Sequence, residues 1–197
     1  MRLDDYLPKN NKAYLIFDLD ETLCKLLLPW DDYVEGIKIK LIQLDKKLFY
    51  ELDKNEVSLS DFENNLVSRF GVPVKKLLID HRIEFETTTL AGMIPNNNLV
   101  SFIQNSHDHM FIWSSNTKPT VSNTLKKLGI FDKFRKIITG EDVMYLKPNS
   151  EGFTKIYDTK IFKRKYLLIG DSNSDKEAAE NSGIDFFKED FFESKKF

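Results

Sequence analysis

Short apolar runs recur along the chain, and segments with helical periodicity lie between them. A brief run of branched and aromatic residues with polar neighbours is typical of a strand buried on both faces of a sheet. Five runs predict strands: Ala13–Phe17, Met110–Trp113, Lys136–Thr139, Tyr166–Ile169 and Ile184–Phe187. Helices are predicted between them: Pro119–Leu128, Ser150–Tyr157 and Asp175–Asn181. This alternation predicts an α/β fold, a three-layer Rossmann-like arrangement around a parallel sheet.

The segment from Leu26 to Leu90 interrupts the alternation, because it shows mainly helical periodicity and no clear buried strand. Ser60 and Glu63 have the spacing of a capping box at the start of a helix. An apolar stripe at helical spacing follows and ends at Gly71. These patterns predict a small helical cap domain at residues 26–90, inserted after the first strand of a core formed by residues 1–25 and 91–197.

Composition limits the classes of function. Apolar residues make up 41% of the chain, which is enough for a sizeable core, and the formal net charge is only -2. A balanced charge argues against nucleic acid as a partner, because phosphate-backbone binding normally needs a clustered basic face. No apolar run approaches the roughly 20 residues of a transmembrane helix, and the first residues do not resemble a signal peptide. With a single cysteine, Cys24, the chain fits a reducing compartment, and we expect a cytoplasmic protein with no membrane partner.

Asp18 and Asp20 directly follow the first predicted strand. In an open parallel sheet, the carboxyl ends of the strands form the edge at which ligands bind. Two carboxylates this close repel each other, and a bound divalent cation removes the repulsion. An Asp-x-Asp pair is weak support by itself, since acidic turns are common on protein surfaces.

Two later polar segments also stand after predicted strands. Ser114, Ser115 and Asn116 could hold phosphate oxygens through a hydroxyl and backbone N–H groups. The alternative interpretation is an ordinary cap for the helix that follows. Lys147, before a proline at a helix entrance, could place its ammonium group over a phosphate or a charged nucleophile.

A second acidic pair follows the fourth predicted strand. Gly170 allows a tight exit from the strand, and Asp171 and Asp175 then stand four residues apart as a helix begins. Acidic residues at this point could complete an oxygen-rich site for a hard cation such as Mg2+. They could equally cap the N-terminus of the helix, and one residue could do both.

Together these segments resemble the four motifs of the haloacid dehalogenase (HAD) superfamily of phosphohydrolases. In chain order the motifs are Asp18-Leu19-Asp20-Glu21-Thr22, Ser114, Lys147-Pro148, and Gly170-Asp171 with Asp175. Order, spacing and strand-end placement all agree. The insertion at residues 26–90 resembles the helical cap of phosphoglycolate-phosphatase-like and phosphosugar-mutase-like members, with residues 1–25 and 91–197 as the catalytic core.

The resemblance implies a Mg2+-dependent phosphatase that acts on a small phosphorylated metabolite through a phosphoaspartyl intermediate. Asp18 would attack phosphorus, and Asp20 would protonate the leaving oxygen and then activate water. Ser114 and the Ser115 amide would bind the phosphoryl group, and Asn116 would contact either phosphate or substrate.

The same resemblance assigns the charges around the phosphate. Lys147 would offset the negative charge gathered between nucleophile and phosphate. Mg2+ would be held by the Asp18 carboxylate, the Asp20 backbone carbonyl and Asp171, with Asp175 bound directly or through water. In this scheme Thr22 would have a supporting role, bracing the loop that holds Asp20.

Other activities stay open or are disfavoured by particular residues. A phosphosugar mutase would use the same phosphoaspartate, and the motifs do not separate it from a phosphatase. A protein phosphatase is less expected, because the insertion would block a broad substrate. A receiver-type phosphoacceptor module carries its acceptor on the third strand, whereas Asp18 follows the first. Dehalogenases of this superfamily lack the second aspartate, which is present here as Asp20.

Several conspicuous side chains receive a structural interpretation. His107 and His109 are predicted to lie in a surface loop before the second strand, opposite the active edge. Cys24 is expected to be a packed thiol, since catalysis already has a nucleophile. For Trp30 and Tyr33, at the entrance to the cap, packing is slightly favoured over substrate contact.

Overall fold

The structure is a computed structural model that describes residues 3–44 and 58–193, so residues 45–57 of the expected cap lie outside it. The strands are β1 Tyr14–Phe17, β2 Cys24–Leu26, β3 Met93–Pro95, β4 His109–Trp113, β5 Phe134–Ile138, β6 Tyr166–Gly170 and β7 Asp185–Lys188. The α-helices are α1 Leu3–Lys9, α2 Trp30–Leu44, α3 Leu59–Phe70, α4 Val72–Thr89, α5 Asn97–Asn105, α6 Lys118–Lys127, α7 Glu151–Ile156 and α8 Asn173–Ser182. Among these described helices, none is long and apolar enough to cross a membrane.

Five strands form one parallel sheet in the order β5-β4-β1-β6-β7. The first strand is central, and Phe17 at its carboxyl end pairs with Ile112 on one side and Ile169 on the other. The chain leaves β1 and adds strands first on one side and then on the other. This reversal opens a crevice at the carboxyl ends of the central strands.

Alternate residues of the central strands face two separate cores, which makes the fold three-layered. Leu15 and Phe17 belong to a core that includes residues of α5 and α6. Ile16 belongs to the other core, with Phe153 of α7 and Ala178 of α8. Because both faces of the sheet are covered, these strands read in sequence as continuous apolar runs. The predicted Rossmann-like α/β fold is confirmed.

All five predicted strands of the main sheet are present, and the largest difference is at β5. This strand begins at Phe134 rather than at Lys136. It lies at the edge of the sheet, where Arg135 and Lys136 are exposed. An edge strand needs no continuous apolar run, so its first residues do not stand out in the sequence.

A short antiparallel ribbon connects the main sheet to the inserted segment. It consists of β2 and β3, with Leu26 paired to Met93 and Cys24 to Pro95. The sequence analysis did not predict it, because three-residue strands are too short to show a periodicity. The ribbon brings the two ends of the insertion together at one point of the core.

The helices of the inserted segment enclose an apolar cluster of their own. Its buried members are Tyr33, Ile37, Leu41, Leu66, Val67, Val74, Leu78 and Phe85. A cap domain at residues 26–90 remains a proposal that this cluster supports. The expected capping box at Ser60 is wrong: Ser58 is the N-cap residue of α3, and its hydroxyl accepts a hydrogen bond from the Asp61 amide. Ser58 and Asp61 have the same three-residue spacing as Ser60 and Glu63, but two positions earlier in the chain.

The histidine prediction needs one correction. His109 is the first residue of β4 rather than part of a loop, and its ring lies 4.5 Å from that of Tyr14. The apolar run of this strand begins only at Met110, so the polar residue that opens the strand does not stand out in the sequence. A metal group that includes this histidine is not found among the described residues.

Candidate active site

The site begins in the turn that follows β1. The Asp18 amide donates a hydrogen bond to the Ile169 carbonyl of β6 (3.0 Å), which keeps Asp18 on the edge of the sheet. The chain then turns sharply, with the Leu19 carbonyl accepting from the amides of Leu23 (2.9 Å) and Cys24 (3.1 Å). The turn places Asp18 and Asp20 in the lining of one cavity.

Asp20 is held by the backbone of the turn and the ribbon. Its Oδ1 accepts hydrogen bonds from the amides of Leu26 (2.7 Å) and Glu21 (3.1 Å). Burial raises the pKa of the Asp20 carboxyl to about 7, against the opposing effect of these hydrogen bonds. A carboxyl group that titrates near neutral pH can both give and take a proton, which is what acid–base catalysis requires.

Lys147 connects two of the predicted carboxylates. Its Nζ donates to Asp18 Oδ1 and to Asp175 Oδ1, each at 2.5 Å. Burial disfavours the ammonium charge, but attraction to Asp175 and Asp18 outweighs burial and raises the pKa of Lys147. Burial also raises the pKa of Asp18, with Lys147 opposing that shift. Lys147 therefore stays charged and compensates part of the negative charge of Asp18 and Asp175.

Asp175 performs two roles at the start of α8. Its Oδ2 accepts from the amide (3.2 Å) and hydroxyl (2.6 Å) of Ser172, in a capping box that fixes the first turn. Its Oδ1 is the oxygen that contacts Lys147. Gly170 makes this approach possible, because a Cβ atom there would lie 2.5 Å from Asp175 Cγ. One side chain therefore caps the helix and also contacts Lys147.

Thr22 lies in the turn that holds Asp20, which the resemblance expects it to brace. Its hydroxyl donates to Asp171 Oδ1 (3.1 Å). The Thr22 carbonyl accepts from the Asn96 side chain (3.1 Å). Thr22 thus ties the turn after β1 to the end of β6, where Asp171 lies.

Three carboxylates converge with the spacing of a cation site. One oxygen each from Asp18, Asp171 and Asp175 lie within 4.8 Å of one another. Burial, followed by repulsion from Asp175, raises the pKa of Asp171 to about 6. An all-oxygen donor set suits a hard cation such as Mg2+, which would remove this repulsion. The Asp20 carboxylate is not in the group, so a metal role for Asp20 falls to its backbone carbonyl.

The segment after β4 forms a tight hydrogen-bonded loop. The Ser114 hydroxyl donates to Asn116 Oδ1 (3.0 Å) and accepts from the backbone amide of Asn116 (3.1 Å). Asn116 Nδ2 donates to Glu86 of α4 (3.0 Å), so both polar ends of this side chain already have protein partners. Ser115 and Asn116 line the cavity.

The cavity between these loops and the helices of the insertion has a volume of about 510 Å³. The insertion supplies the opposite wall: Leu28, Trp30, Leu59, Ser60 and Arg82. Trp30 has a double role, because its ring also packs on Tyr33 (5.6 Å) and Phe85 (5.7 Å). Tyr33 itself is fully buried, as the sequence analysis favoured.

Sequence reasoning missed the buried polar side chains of the insertion. Arg82 is ion-paired with Glu63, whose carboxylate also accepts from the Tyr33 hydroxyl (2.6 Å). Asn64 brackets the backbone of Leu146, accepting from its amide (2.8 Å) and donating to its carbonyl (2.9 Å). Charged and amide residues on a helix usually indicate a solvated face, so no local signal marks these residues as contacts.

Cys24 is buried in β2, as expected. Burial raises the pKa of its thiol, with Asp20 and Asp18 adding to the effect. The thiol therefore stays protonated and is unsuited to act as a nucleophile. This environment supports its interpretation as a packing residue.

Comparisons with known proteins identify the family. The sequence model of the haloacid dehalogenase-like hydrolases matches residues 15–188. A comparison with curated protein sequences found no match.

Solved structures show the same fold at low sequence identity. A protein named as a haloacid dehalogenase-like hydrolase from Bacteroides fragilis superposes with a TM-score of 0.59 and 21% identity, covering 90% of this chain and 87% of that one. A HAD-hydrolase from Bacillus subtilis, bound to magnesium, superposes with a TM-score of 0.54 and 20% identity, covering 91% of this chain and 87% of that one. A protein named as a phosphoglycolate phosphatase from Lactobacillus plantarum superposes with a TM-score of 0.51 and 14% identity, covering 89% of this chain and 84% of that one. With the family match over residues 15–188, the chain belongs to the haloacid dehalogenase-like hydrolases.

Proposed function

We propose that this protein is a Mg2+-dependent phosphatase that hydrolyses a small phosphate monoester through a phosphoaspartyl intermediate on Asp18. The observation that carries the proposal is the convergence of Lys147 with two carboxylates at the carboxyl edge of the sheet. Its Nζ lies 2.5 Å from both Asp18 and Asp175, and oxygens of Asp18, Asp171 and Asp175 lie within 4.8 Å of one another. A nucleophile, a fixed cation and a metal-ligand set therefore share one cavity.

The two aspartates of the first turn have different environments, which supports different roles. Asp18 contacts the Lys147 ammonium, so its carboxylate can approach a phosphate with less repulsion. In the proposed first step, Asp18 attacks phosphorus in line with the leaving oxygen, forming an acyl phosphate. Asp20, with its pKa raised to about 7, gives a proton to that leaving oxygen. Asp20 then takes a proton from the water that hydrolyses the intermediate.

The phosphoryl group is bound by the loop after β4 in this proposal. The Ser115 amide and the Ser114 hydroxyl supply donors, and Lys147 supplies a positive charge beside them. The Ser114 hydroxyl exchanges its intramolecular hydrogen bond with Asn116 for one to the phosphate. Mg2+ bound by Asp18, Asp171 and Asp175 would neutralise their charge and that of the phosphate oxygens.

The substrate is proposed to be a small phosphorylated metabolite. A cavity of about 510 Å³ between the strand ends and the inserted helices accommodates a compact ester. The inserted helices cover the face by which a protein substrate would approach. A phosphosugar mutase would use the same residues and differ only in the acceptor of the phosphoryl group.

The test is a screen of purified protein against phosphorylated metabolites, with and without Mg2+. We expect phosphate release that requires Mg2+, and a phosphoenzyme that can be trapped by acid quench during turnover. Product analysis distinguishes release to water from transfer to a second hydroxyl of a sugar phosphate. A protein that hydrolyses no ester and forms no phosphoenzyme with Mg2+ present would contradict the proposal.

A further inference from the structure

Glu86 of α4 is a fully buried carboxylate that contacts the loop after β4. Its Oε1 accepts from Asn116 Nδ2 (3.0 Å), and its Oε2 accepts from the Thr117 amide (3.0 Å) and hydroxyl (2.5 Å). Its exposed fraction is 0%. A buried carboxylate is tolerated only when donors satisfy its oxygens. The inserted helix is thus joined to the core by three hydrogen bonds at one side chain.

This contact determines the orientation of the side-chain amide group of Asn116. A carboxylate only accepts hydrogen bonds, so Glu86 requires the Asn116 NH2 group on its side. The Asn116 oxygen must then face Ser114, whose hydroxyl donates to it at 3.0 Å. In the phosphate-free protein, Glu86 therefore fixes the place of the Asn116 side chain beside Ser114.

The second oxygen of Glu86 acts at the start of α6. Thr117 is the N-cap residue of this helix, but its own side chain makes no capping hydrogen bond. Its hydroxyl and amide both donate to Glu86 instead. The loop that carries Ser114 and Ser115 is held at its far end by a residue of the inserted segment.

We infer that Glu86 is a positioning residue for phosphate binding. It acts through Asn116 and Thr117, and it makes the geometry of the phosphate-binding loop depend on the placement of α4. The inference rests on the proposed function, because it assigns phosphate binding to this loop. Glu86 itself does not line the cavity.

The orientation argument defines a set of variants. Glu86→Gln keeps the shape of the side chain but places an NH2 group against either Asn116 or Thr117, so two donors face each other. Asn116→Asp alone places two carboxylates against each other. In the double variant E86Q/N116D, the new NH2 group donates to the new carboxylate, which still accepts from Ser114. The double variant keeps one negative charge in this network but moves it from residue 86 to residue 116, which lines the cavity.

Glu84→Gln is the matched control, since Glu84 lies on the same helix but is exposed and ion-paired with Lys40. The readouts are inhibition of p-nitrophenyl phosphate hydrolysis by inorganic phosphate, KM and kcat for that substrate, and Mg2+ affinity. Thermal melting shows whether each variant is folded.

For E86Q we expect inorganic phosphate to bind about ten-fold more weakly, the size of one lost hydrogen bond to a charged group. KM should rise with it, whereas Mg2+ affinity stays at the wild-type value. E84Q should match the wild type. The double variant should regain the melting temperature of the wild type but not its phosphate affinity, because its new carboxylate lines the cavity and repels phosphate. Weaker phosphate binding by E86Q at unchanged Mg2+ affinity is a result that a merely structural role does not produce.

Phosphate affinity in E86Q equal to that of E84Q would overturn the inference, and so would a double variant that melts no higher than E86Q. If E86Q does not fold, Thr117→Val decides, because it removes the hydroxyl's hydrogen bond to Glu86 and leaves that of the backbone amide: phosphate affinity below that of E84Q supports the inference, and equal affinity overturns it. A wild type that neither hydrolyses esters nor binds phosphate removes the proposed function together with this inference. An active wild type with an unaffected E86Q removes this inference alone.

Discussion

The core and the inserted segment both line the cavity, but they differ in how far their charged side chains are balanced by protein partners. At the strand ends, four aspartates line the cavity, and Lys147 contacts two of them, Asp18 and Asp175. In the described part of the insertion, Arg82 pairs with Glu63, and Glu86 accepts from neutral donors.

This difference separates two kinds of site. The strand ends carry an excess of negative charge, which costs stability until a cation arrives. Arg82 and Glu86 of the inserted helices have protein partners, within the insertion for Arg82 and in the core for Glu86, so these helices can form a wall and hold loops in place without a ligand. Chemistry is therefore expected to depend on the core, and geometry on the insertion. Four changes would sharpen or break this comparison.

The largest effect is expected for Asp18→Asn. Loss of the nucleophile should lower Mg2+-dependent hydrolysis of p-nitrophenyl phosphate by at least about 10³-fold, since covalent catalysis is removed as a whole. Asp5→Asn is the control, because Asp5 is exposed on α1. Undiminished turnover by D18N would refute the assignment of the nucleophile.

Asp20→Asn should lower overall turnover by about 10²–10⁴-fold, the range of general acid–base catalysis. With a good leaving group, formation of the phosphoenzyme needs little help from an acid, so hydrolysis of the intermediate should suffer more. Rapid-quench measurement of phosphoenzyme and free phosphate separates the two steps. Equal losses in both steps would argue against the proton-transfer role of Asp20.

A smaller effect is expected for Asn64→Ala in the insertion. This change removes both hydrogen bonds to the backbone of Leu146, the residue before Lys147. Loosening of the lysine loop should lower kcat/KM by about ten-fold, as for the loss of one or two buried hydrogen bonds. The neighbouring Asn65 is exposed, so Asn65→Ala is the matched control. If the two variants have the same kcat/KM, the insertion does not help to position Lys147.

The smallest effect concerns the stability of the metal-free protein. Burial raises the pKa of Asp20 to about 7 and of Asp171 to about 6, above the usual value near 3.8. The folded state therefore binds more protons than the unfolded state between these values, and its stability falls as pH rises toward 7. Thermal melting with a chelator should show Tm dropping as pH rises from about 4 to about 7, by about 2–4 °C for each kcal/mol lost.

Excess Mg2+ should cancel this decline, because the ion binds the charged carboxylates of the folded state. Asp171→Asn should weaken both the pH dependence and the stabilisation by Mg2+. A metal-free protein whose Tm rises over the same pH range would contradict the inferred excess of buried negative charge.

Much of the core could be predicted from sequence because its signals are local. The run Tyr14–Phe17 is buried on both faces, and Asp18 follows it within one covalent step. The same adjacency holds for Ser114 after β4 and Asp171 after β6. In a parallel sheet, adjacency to a strand end is enough to assign these residues to one edge.

The insertion could be predicted only in outline, as a set of helices. Asn64 and Leu146 are 82 positions apart, and Glu86 and Asn116 are 30 apart. A glutamate on an amphipathic helix has the same local pattern whether it meets water or a buried loop. The partners of Glu63, Arg82 and Glu86 therefore could not be found from periodicity.

The sequence by itself determined which polar groups follow successive strands along the chain. These are an acidic turn, a hydroxyl-bearing loop, a lysine and a second acidic pair, each after an apolar run. Tertiary structure alone decided that Lys147 would contact both Asp18 and Asp175, and that the hydroxyl of Thr22 would bind Asp171. Local patterns encode where a chain enters and leaves a sheet, since burial there follows from short-range periodicity. Which distant side chains then meet depends on how the elements pack, and that packing also decides which charges are buried.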